Sequence, residues 1–572
     1  MAKNRTFILF IIIMAIAGII WTFTNVGVDV GYQTAMAYRL SVGDEMIVTM
    51  LEPHQTSAFI TGGLIALYRA ITGGYTGVVV YLQAIGTLIR AAVALGLYLL
   101  LKKEAGKNLA FAVATVFFMI TPKDYAIPEY GNQQVWFGAL SFVFLVLFFT
   151  KEKLRFVLPA AICLCFQIFS YPSCLILYIA EAIIILLYAK KGSKGKALAL
   201  FTGTCIIIGG FFVSYFLFRY GYSEIRKMLG MMLSIEPGHT VGAGTKLLAY
   251  IRDAGEILLA YAAVAAASFI IELPVIAILK KKRDVSAEYK RSLFFAIGMC
   301  IMLVGFLLNI LLVTDRCAYT VIFFYLIGVG IYYSSRLSGN LKKIYITGTV
   351  IGLAGFLSTT ILTDLPLIVS GGYAVLSVGL SLIPIKKLIE ELESLGLKRF
   401  FYGLGIAMFA LLFLRCIYLR TTLTGRSQIT SIFRTDMSYV HNGPAKYIIT
   451  DNNGAMKQQL SYAEFNEYIP EGSNIFIADG LMDGFGYLYT DTNVAVPSVM
   501  CDPKYEYEEY YEVLREYWKK HPERYPDVVI VSAYNGEISY EIQASGLFMK
   551  WLEEEYKPSN YIDGAYYRYY FK

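Results

Sequence analysis

Thirteen apolar runs, most of them about 20 residues long, constrain this chain more than anything else in it. They cover residues 7–26, 75–101, 108–121, 134–150, 154–170, 172–189, 197–219, 257–279, 292–313, 318–335, 344–361, 367–384 and 400–419. A helix of about 20 apolar residues spans the roughly 30 Å hydrocarbon core of a bilayer. Of the 572 residues 57% are hydrophobic and 16% charged, against about 25% charged in soluble domains. This excludes a soluble globular protein and predicts a polytopic α-helical membrane protein with about 13 transmembrane helices. No A-x-A-like cleavage site follows 7–26, so that run reads as a retained first helix.

Lysine and arginine mark every second connection. Examples are Lys102, Lys103 and Lys107; Lys151, Lys153 and Arg155; Lys190, Lys191, Lys194 and Lys196; and Lys280 to Arg283 with Lys290 and Arg291. Cytoplasmic loops carry such an excess. The alternation predicts a multi-pass protein of the cell membrane with a cytoplasmic N-terminus. Segments 27–74, 122–133, 220–256, 314–317 and 362–366 and the C-terminal tail then lie outside. The run 56–72, interrupted by Gly62, Gly63 and Arg69, reads as an interfacial or re-entrant helix.

Charge also divides the chain lengthwise. From His441 to Lys572 there are 21 acidic and 11 basic residues, and before it 22 acidic and 39 basic. The membrane part, 1–420, is basic without implying a nucleic-acid partner, since cytoplasmic loops account for the excess. Residues 421–440 read as a linker and 441–572 as an extracytoplasmic, soluble α/β domain. Within it Asn474–Asp479, Asp527–Ser532 and Tyr561–Phe571 read as strands, and Tyr505–His521 and Gln543–Tyr556 as helices. It has no phosphate-binding loop, and reads as a lid or recognition platform. The eight cysteines show no zinc-type spacing.

The densest polar stretch is the first outer loop, 27–74. It holds Asp29, Tyr32, Arg39, Asp44, Glu45, Glu52 and His54, with Pro53 breaking the backbone. Charged groups near a membrane tend to have a partner or a task. Asp29 follows the first helix closely and so lies near the outer membrane face; Asp44 and Glu45 are its rivals. Arg316 sits in the short connection Thr314–Cys317, which holds it at the membrane face. Arg39, Arg69, Lys123, Arg226 and Lys227 are further candidate cations. His54 follows Pro53 directly.

A first helix followed by an outer loop with an early Asp, two interfacial helices and a Pro before the second (Pro53–Gly73, PHQTSAFITGGLIALYRAITG) resembles the GT-C glycosyltransferases. The likeness is greatest to the branch of the protein O-mannosyltransferases and lipid A aminoarabinose transferases. It lies at the motif level over about residues 20–100, and the span with Arg90 resembles the family's second transmembrane helix. Many members carry Asp-Glu at the early acidic site; here it is Asp29-Val30, and only the Asp carries over. The resemblance implies a donor sugar on a polyprenyl phosphate, an envelope glycan, glycolipid or protein as hydroxyl acceptor, and an inverting transfer on the outer face. Asp29 would act as general base, and cations would stabilise the departing phosphate. Relatives often place a second acidic residue in the next outer loop, where Glu129 fits better than Asp124. The expected site is thus Asp29 and Glu129 as catalytic, with Tyr32, Arg39, His54, Lys123 and Arg316 binding substrate. No cofactor is expected; a divalent metal is possible, but no ligand spacing predicts one.

Two other readings stay open. An O-antigen ligase or polysaccharide polymerase would usually place its largest outer loop late and between spans. A transporter or flippase for lipid-linked sugars would tend to show inverted repeats and broken, midplane-polar helices. Neither pattern is evident.

Overall fold

The computed structural model describes residues 5–24, 28–123, 125–235, 243–280, 286–312, 317–361, 363, 365–393, 399–400, 403–407, 410, 437–478, 484–500, 508–534, 536–543, 546–556 and 560–572. The membrane part is built from α1 (Arg5–Phe23), α2 (Val28–Ser41), α3 (Ala58–Thr72), α4 (Val78–Glu104), α5 (Lys107–Met119), α6 (Tyr130–Lys151), α7 (Val157–Ser170), α8 (Ile176–Tyr188), α9 (Lys194–Tyr220), α10 (Tyr222–Ile235), α11 (Ala243–Lys280), α12 (Ala287–Leu312), α13 (Cys317–Tyr333), α14 (Gly339–Ile361) and α15 (Val375–Glu393).

The first twelve expected spans each fall on a helix, while 400–419 lies mostly outside the described residues. Among the described residues seven helices are long and apolar enough to cross a membrane: α1, α4, α6, α9, α11, α14 and α15. The expected spans 108–121, 154–170 and 172–189 fold as α5, α7 and α8, of 13, 14 and 13 residues. With the 3-10 turns that precede them, α7 and α8 belong to continuous apolar helical stretches of 17 residues, Leu154–Ser170 and Pro172–Tyr188. The outer segment 220–256, read as a loop, is helical over α10 and the start of the 38-residue α11. Lys246 and Asp253 pin that start to the connection after α14: Lys246 Nζ donates to the Leu365 carbonyl at 2.7 Å, and Asp253 Oδ2 accepts from Leu367 N at 2.8 Å.

Apolar side chains on α9 and α11, such as Ile207, Phe211, Phe218 and Leu259, face outward. Water would oppose so much exposed apolar area, whereas lipid accepts it. This is a multi-pass membrane protein.

Arg90 shows how the bundle holds a charge. It lies fully buried in α4, and its Nε donates to the Phe118 carbonyl at 2.9 Å, with Nη2 bonded to those of Phe117 and Ile120. The guanidinium thereby caps the C-terminal carbonyls of α5, which have no partner within their own helix.

The C-terminal region opens with the hairpin β1 (Met437–Tyr439) and β2 (Ile449–Asp451). A mixed sheet follows, of β3 (Asn474–Ile477), β4 (Asn493–Val494), β5 (Val528–Tyr534), β6 (Glu537–Ile538), β7 (Tyr561–Asp563) and β8 (Tyr567–Phe571), in the order β4-β3-β5-β8-β7 with β6 on β5. Apolar β3 and β5 run parallel at its centre, Phe476 opposite Val529. The expected single closing strand 561–571 is instead the antiparallel hairpin β7–β8, because the chain reverses at Gly564, whose N–H bonds the Tyr567 carbonyl. Helices at Asn452–Tyr468, Glu508–Lys520 and Gly546–Glu555 pack on the sheet, and Trp518 stacks on Trp551 between two of them.

This region is seated on the first outer loop. The Leu51 N–H donates to the Pro497 carbonyl at 2.8 Å, and the otherwise unpaired N–H groups at the start of α4, those of Gly77 and Val79, donate to Gly443 and Pro444. Gly31 of α2 and Gly484 meet backbone to backbone: a Cβ on Gly484 would lie 2.7 Å from the Gly31 carbonyl.

Candidate active site

The connection 121–129 between α5 and α6 carries Lys123 and Glu129. Glu129 is the N-cap of α6, its carboxylate accepting from Gly131 N at 2.7 Å and from Asn132 N. A carboxylate is favoured there by the unpaired N–H groups and the helix dipole. Asn132 Nδ2 donates to the carbonyls of Tyr125 (3.1 Å) and Ile127 (3.0 Å), and Gln133 Nε2 to those of Pro128 (2.8 Å) and Ser57 (2.9 Å). The connection is thus tied to α6 and to the turn before α3. From below, Gly86 of α4 lies so close to the Ala126 carbonyl that a Cβ would sit 1.7 Å from its oxygen.

Asp29 stands in the first turn of α2, with Lys123 Nζ 3.2 Å from its Oδ2; the Asp29 side chain is 46% exposed and that of Lys123 15%. Lys123 also bonds the Tyr130 hydroxyl and lies 4.2 Å from that ring's centre. The same ring stacks on His54 at 4.0 Å and 19°, and His54 lies 4.7 Å from the ring of Tyr171.

Burial pushes the Glu129 carboxyl up to about 7; the Lys123 ammonium and the two N–H donors oppose this, and the nearby Asp29 charge adds to it. Burial works against the charge of Lys123, but the Asp29 and Glu129 carboxylates outweigh it and raise its pKa. One ammonium therefore serves two carboxylates, of which Asp29 is open and Glu129 enclosed.

The structure thus brings Asp29, Glu129, Lys123 and His54 together. Tyr32 is buried beside the turn Gly484–Leu488, its hydroxyl 3.9 Å from Met36 Sδ. Arg39 is no substrate-facing cation. It is fully buried, with Nε on Asp44 Oδ2 (2.7 Å), Nη1 on Glu52 Oε1 (3.2 Å) and the Pro497 carbonyl (2.9 Å), and Nη2 on the Thr49 carbonyl (2.6 Å). Buried guanidinium needs such partners, and none of these faces is left for a phosphate. The rivals to Asp29 are committed too: Asp44 to Arg39 and Arg524, Glu45 to Arg219 of α9. Arg69 pairs with Asp491 at 2.9 Å. Arg316 and Asp124 lie outside the described residues.

Tyr130, which bridges His54 to Lys123, and Tyr171, whose ring packs on His54 and Tyr130, carry no motif in the sequence. Tyr130 had one usable signal, as the residue following the Pro128-Glu129 cap. Among the described residues no group of three or more His, Cys, Asp or Glu side chains is placed to hold a metal ion.

No family model and no curated protein matches the chain. Among solved structures it is similar to an oligosaccharyltransferase of Archaeoglobus fulgidus tethered to an acceptor peptide with the NVT sequon, at 10% identity over 93% of this chain and 70% of that one, TM-score 0.47. The same organism's enzyme with zinc and sulfate matches at 11% identity, 91% and 68% coverage and TM-score 0.44. AglB from that organism, with an inhibitory peptide and a dolichol-phosphate, matches at 12% identity, 92% and 69% coverage and TM-score 0.44. At these scores neither fold nor function is carried over from them.

Proposed function

We propose that this chain is an integral membrane glycosyltransferase of GT-C type, moving a sugar from a polyprenyl phosphate to a hydroxyl of an envelope acceptor on the outer face of the membrane. The observation that carries the reading is the half-exposed Asp29 carboxylate, 3.2 Å from the Lys123 ammonium and close to the buried Glu129. Acidic and basic groups of complementary roles, fixed by a tied-down connection, suit a reaction that removes a proton and develops charge on phosphate.

In the proposed step the acceptor hydroxyl gives its proton to Asp29 as its oxygen bonds the anomeric carbon. The bond from that carbon to the phosphate oxygen breaks, its electron pair leaving with the polyprenyl phosphate, and the configuration inverts. Lys123 is proposed to balance the phosphate charge, with Arg316 as a second cation. Glu129 would support the charge of Lys123 through space, and His54 packs on the Tyr130 ring that lies against the ammonium.

The test uses the purified full chain in nanodiscs with a panel of polyprenyl-phosphate sugars, measuring release of polyprenyl phosphate on addition of acceptor. Asp29→Asn is expected to slow transfer by about 100-fold or more. Transfer by Asp29→Asn at the wild-type rate would overturn the assignment.

A further inference from the structure

A cleft of about 400 Å³ opens where the turn between α3 and α4 meets the C-terminal region. Tyr75 and Thr76 line it from the turn and Tyr462, Asn466, Tyr489 and Thr490 from the C-terminal region, together with Glu471 and Asp491. It takes no part in the site described above.

Two of its polar groups are left without partners. Tyr75 is 5% exposed, and its hydroxyl, beside Ser41 and Arg69, makes no hydrogen bond of ordinary geometry. The Thr490 hydroxyl is likewise buried and unpaired. Buried polar groups in that condition are costly unless something satisfies them. The surrounding residues are, by contrast, fixed: Asn466 Nδ2 donates to the Tyr462 carbonyl at 2.7 Å, and the Tyr489 hydroxyl to Gln458 Oε1 at 2.7 Å.

We propose that this cleft binds a neutral oligosaccharide, the extended part of the acceptor or of the donor glycan beyond the reacting sugar. The claim rests on the glycosyl-transfer reading above. Tyrosine rings present flat apolar faces with a polar edge, which suits a sugar ring with its C–H face on one side and hydroxyls around its rim. A lipid chain would need a continuous apolar wall, and Ile469 and Leu488 alone do not provide one. Glu471 opposes an anionic ligand, while Asp491 and Arg69 neutralise each other as a pair.

The spacing fits as well. The Tyr38 ring, near the far end of α2, packs edge-on against Tyr75 at 5.1 Å. From Asp29 to Tyr38 is nine residues of helix, about 14 Å at 1.5 Å per residue. One helix therefore carries the candidate base at one end and supports the cleft at the other.

The experiment measures binding of fluorescently labelled linear tetrasaccharides of glucose, mannose, galactose and N-acetylglucosamine to the full chain in nanodiscs, without donor. At least one is expected to bind, and Tyr75→Phe/Thr490→Val, which preserves shape, to weaken it by about tenfold, a loss of about 1.4 kcal/mol. Asn466→Ala, at an exposed position that does not threaten folding, is expected to weaken it too. The proposal is overturned if none of the four binds the wild type below about 1 mM, or if both variants bind as tightly as wild type. Binding that survives in Asp29→Asn, in a protein where that substitution leaves transfer unchanged, keeps the cleft and removes the catalytic reading.

Discussion

Arg524 of the C-terminal region and Asp44 of the first outer loop are joined at 2.7 Å, although 480 residues separate them, and the other oxygen of Asp44 takes Arg39 at the same distance. Glu52 completes the cluster, accepting from Val499 N at 2.7 Å and from the Ser498 hydroxyl. The loop and the sheet are therefore one body, held by buried charge that is fully partnered.

Removing Arg39 leaves Asp44 and Glu52 buried with a cation missing. Arg39→Met is expected to lower stability by about 3–5 kcal/mol, because an uncompensated buried charge costs more than the pair contributes. Adding Glu52→Gln should return part of the loss. Thermal unfolding in detergent, with limited proteolysis of the C-terminal region as a second readout, checks both.

Gly86→Ala places a methyl group where the Ala126 carbonyl already is. Backbone on both sides must move, and the 121–129 connection carries Lys123 and Glu129 with it. A displacement of about 1 Å at a reacting geometry can cost about 100-fold in rate. Transfer should fall steeply while the variant still folds, a split read from single-turnover rates beside the unfolding temperature.

Glu129 makes stability depend on pH in a definite sense. Its carboxyl is raised to about 7 in the folded chain from an ordinary value of 4.5. The stability tied to its protonated form is fully present below about 4.5 and is lost as pH rises through about 7. Relative to wild type, Glu129→Gln should therefore gain stability between those values and hold the gain above them. Unfolding temperatures of the two proteins from pH 4 to 8 check the crossing.

Arg90→Met removes the donors on the carbonyls of Phe117, Phe118 and Ile120. With no water in the apolar interior to replace them, about 2 kcal/mol or more is expected to be lost. Arg90→Lys should recover only part, since an ammonium lacks the planar fork. Equilibrium unfolding measures the series.

Apolar runs near 20 residues are a local property, so the membrane helices could be read from the chain. Segment 220–256 could not be placed by length of apolar run, because Tyr222–Ile235 mixes Glu224, Arg226 and Lys227 with methionines and leucines. Its helical spacing was the signal. Asp29 and Lys123 are legible as candidates because each is a charge beside a membrane segment, and Glu129 through the resemblance to relatives with a second acidic residue in that loop. Arg39 meets the same criterion, and its burial among Asp44, Thr49 and Glu52, closed off by Pro497 more than 450 residues away, separates it from them. Tyr130 and Tyr171 are two of 45 tyrosines, and nothing local distinguishes a ring that braces an ammonium from one anchored at an interface.

The Arg39 cluster also sets an order of events during synthesis. Arg524 leaves the ribosome 485 residues after Arg39, a delay of roughly 25 to 100 s at about 5–20 residues per second. Through that interval the first outer loop has its own Asp44 and Glu52 beside Arg39 but none of the backbone from 497 to 499 that finally encloses them. The earliest loop of the chain is therefore among the last pieces to reach its final form, and a nascent protein cut short before residue 497 would carry it unfinished.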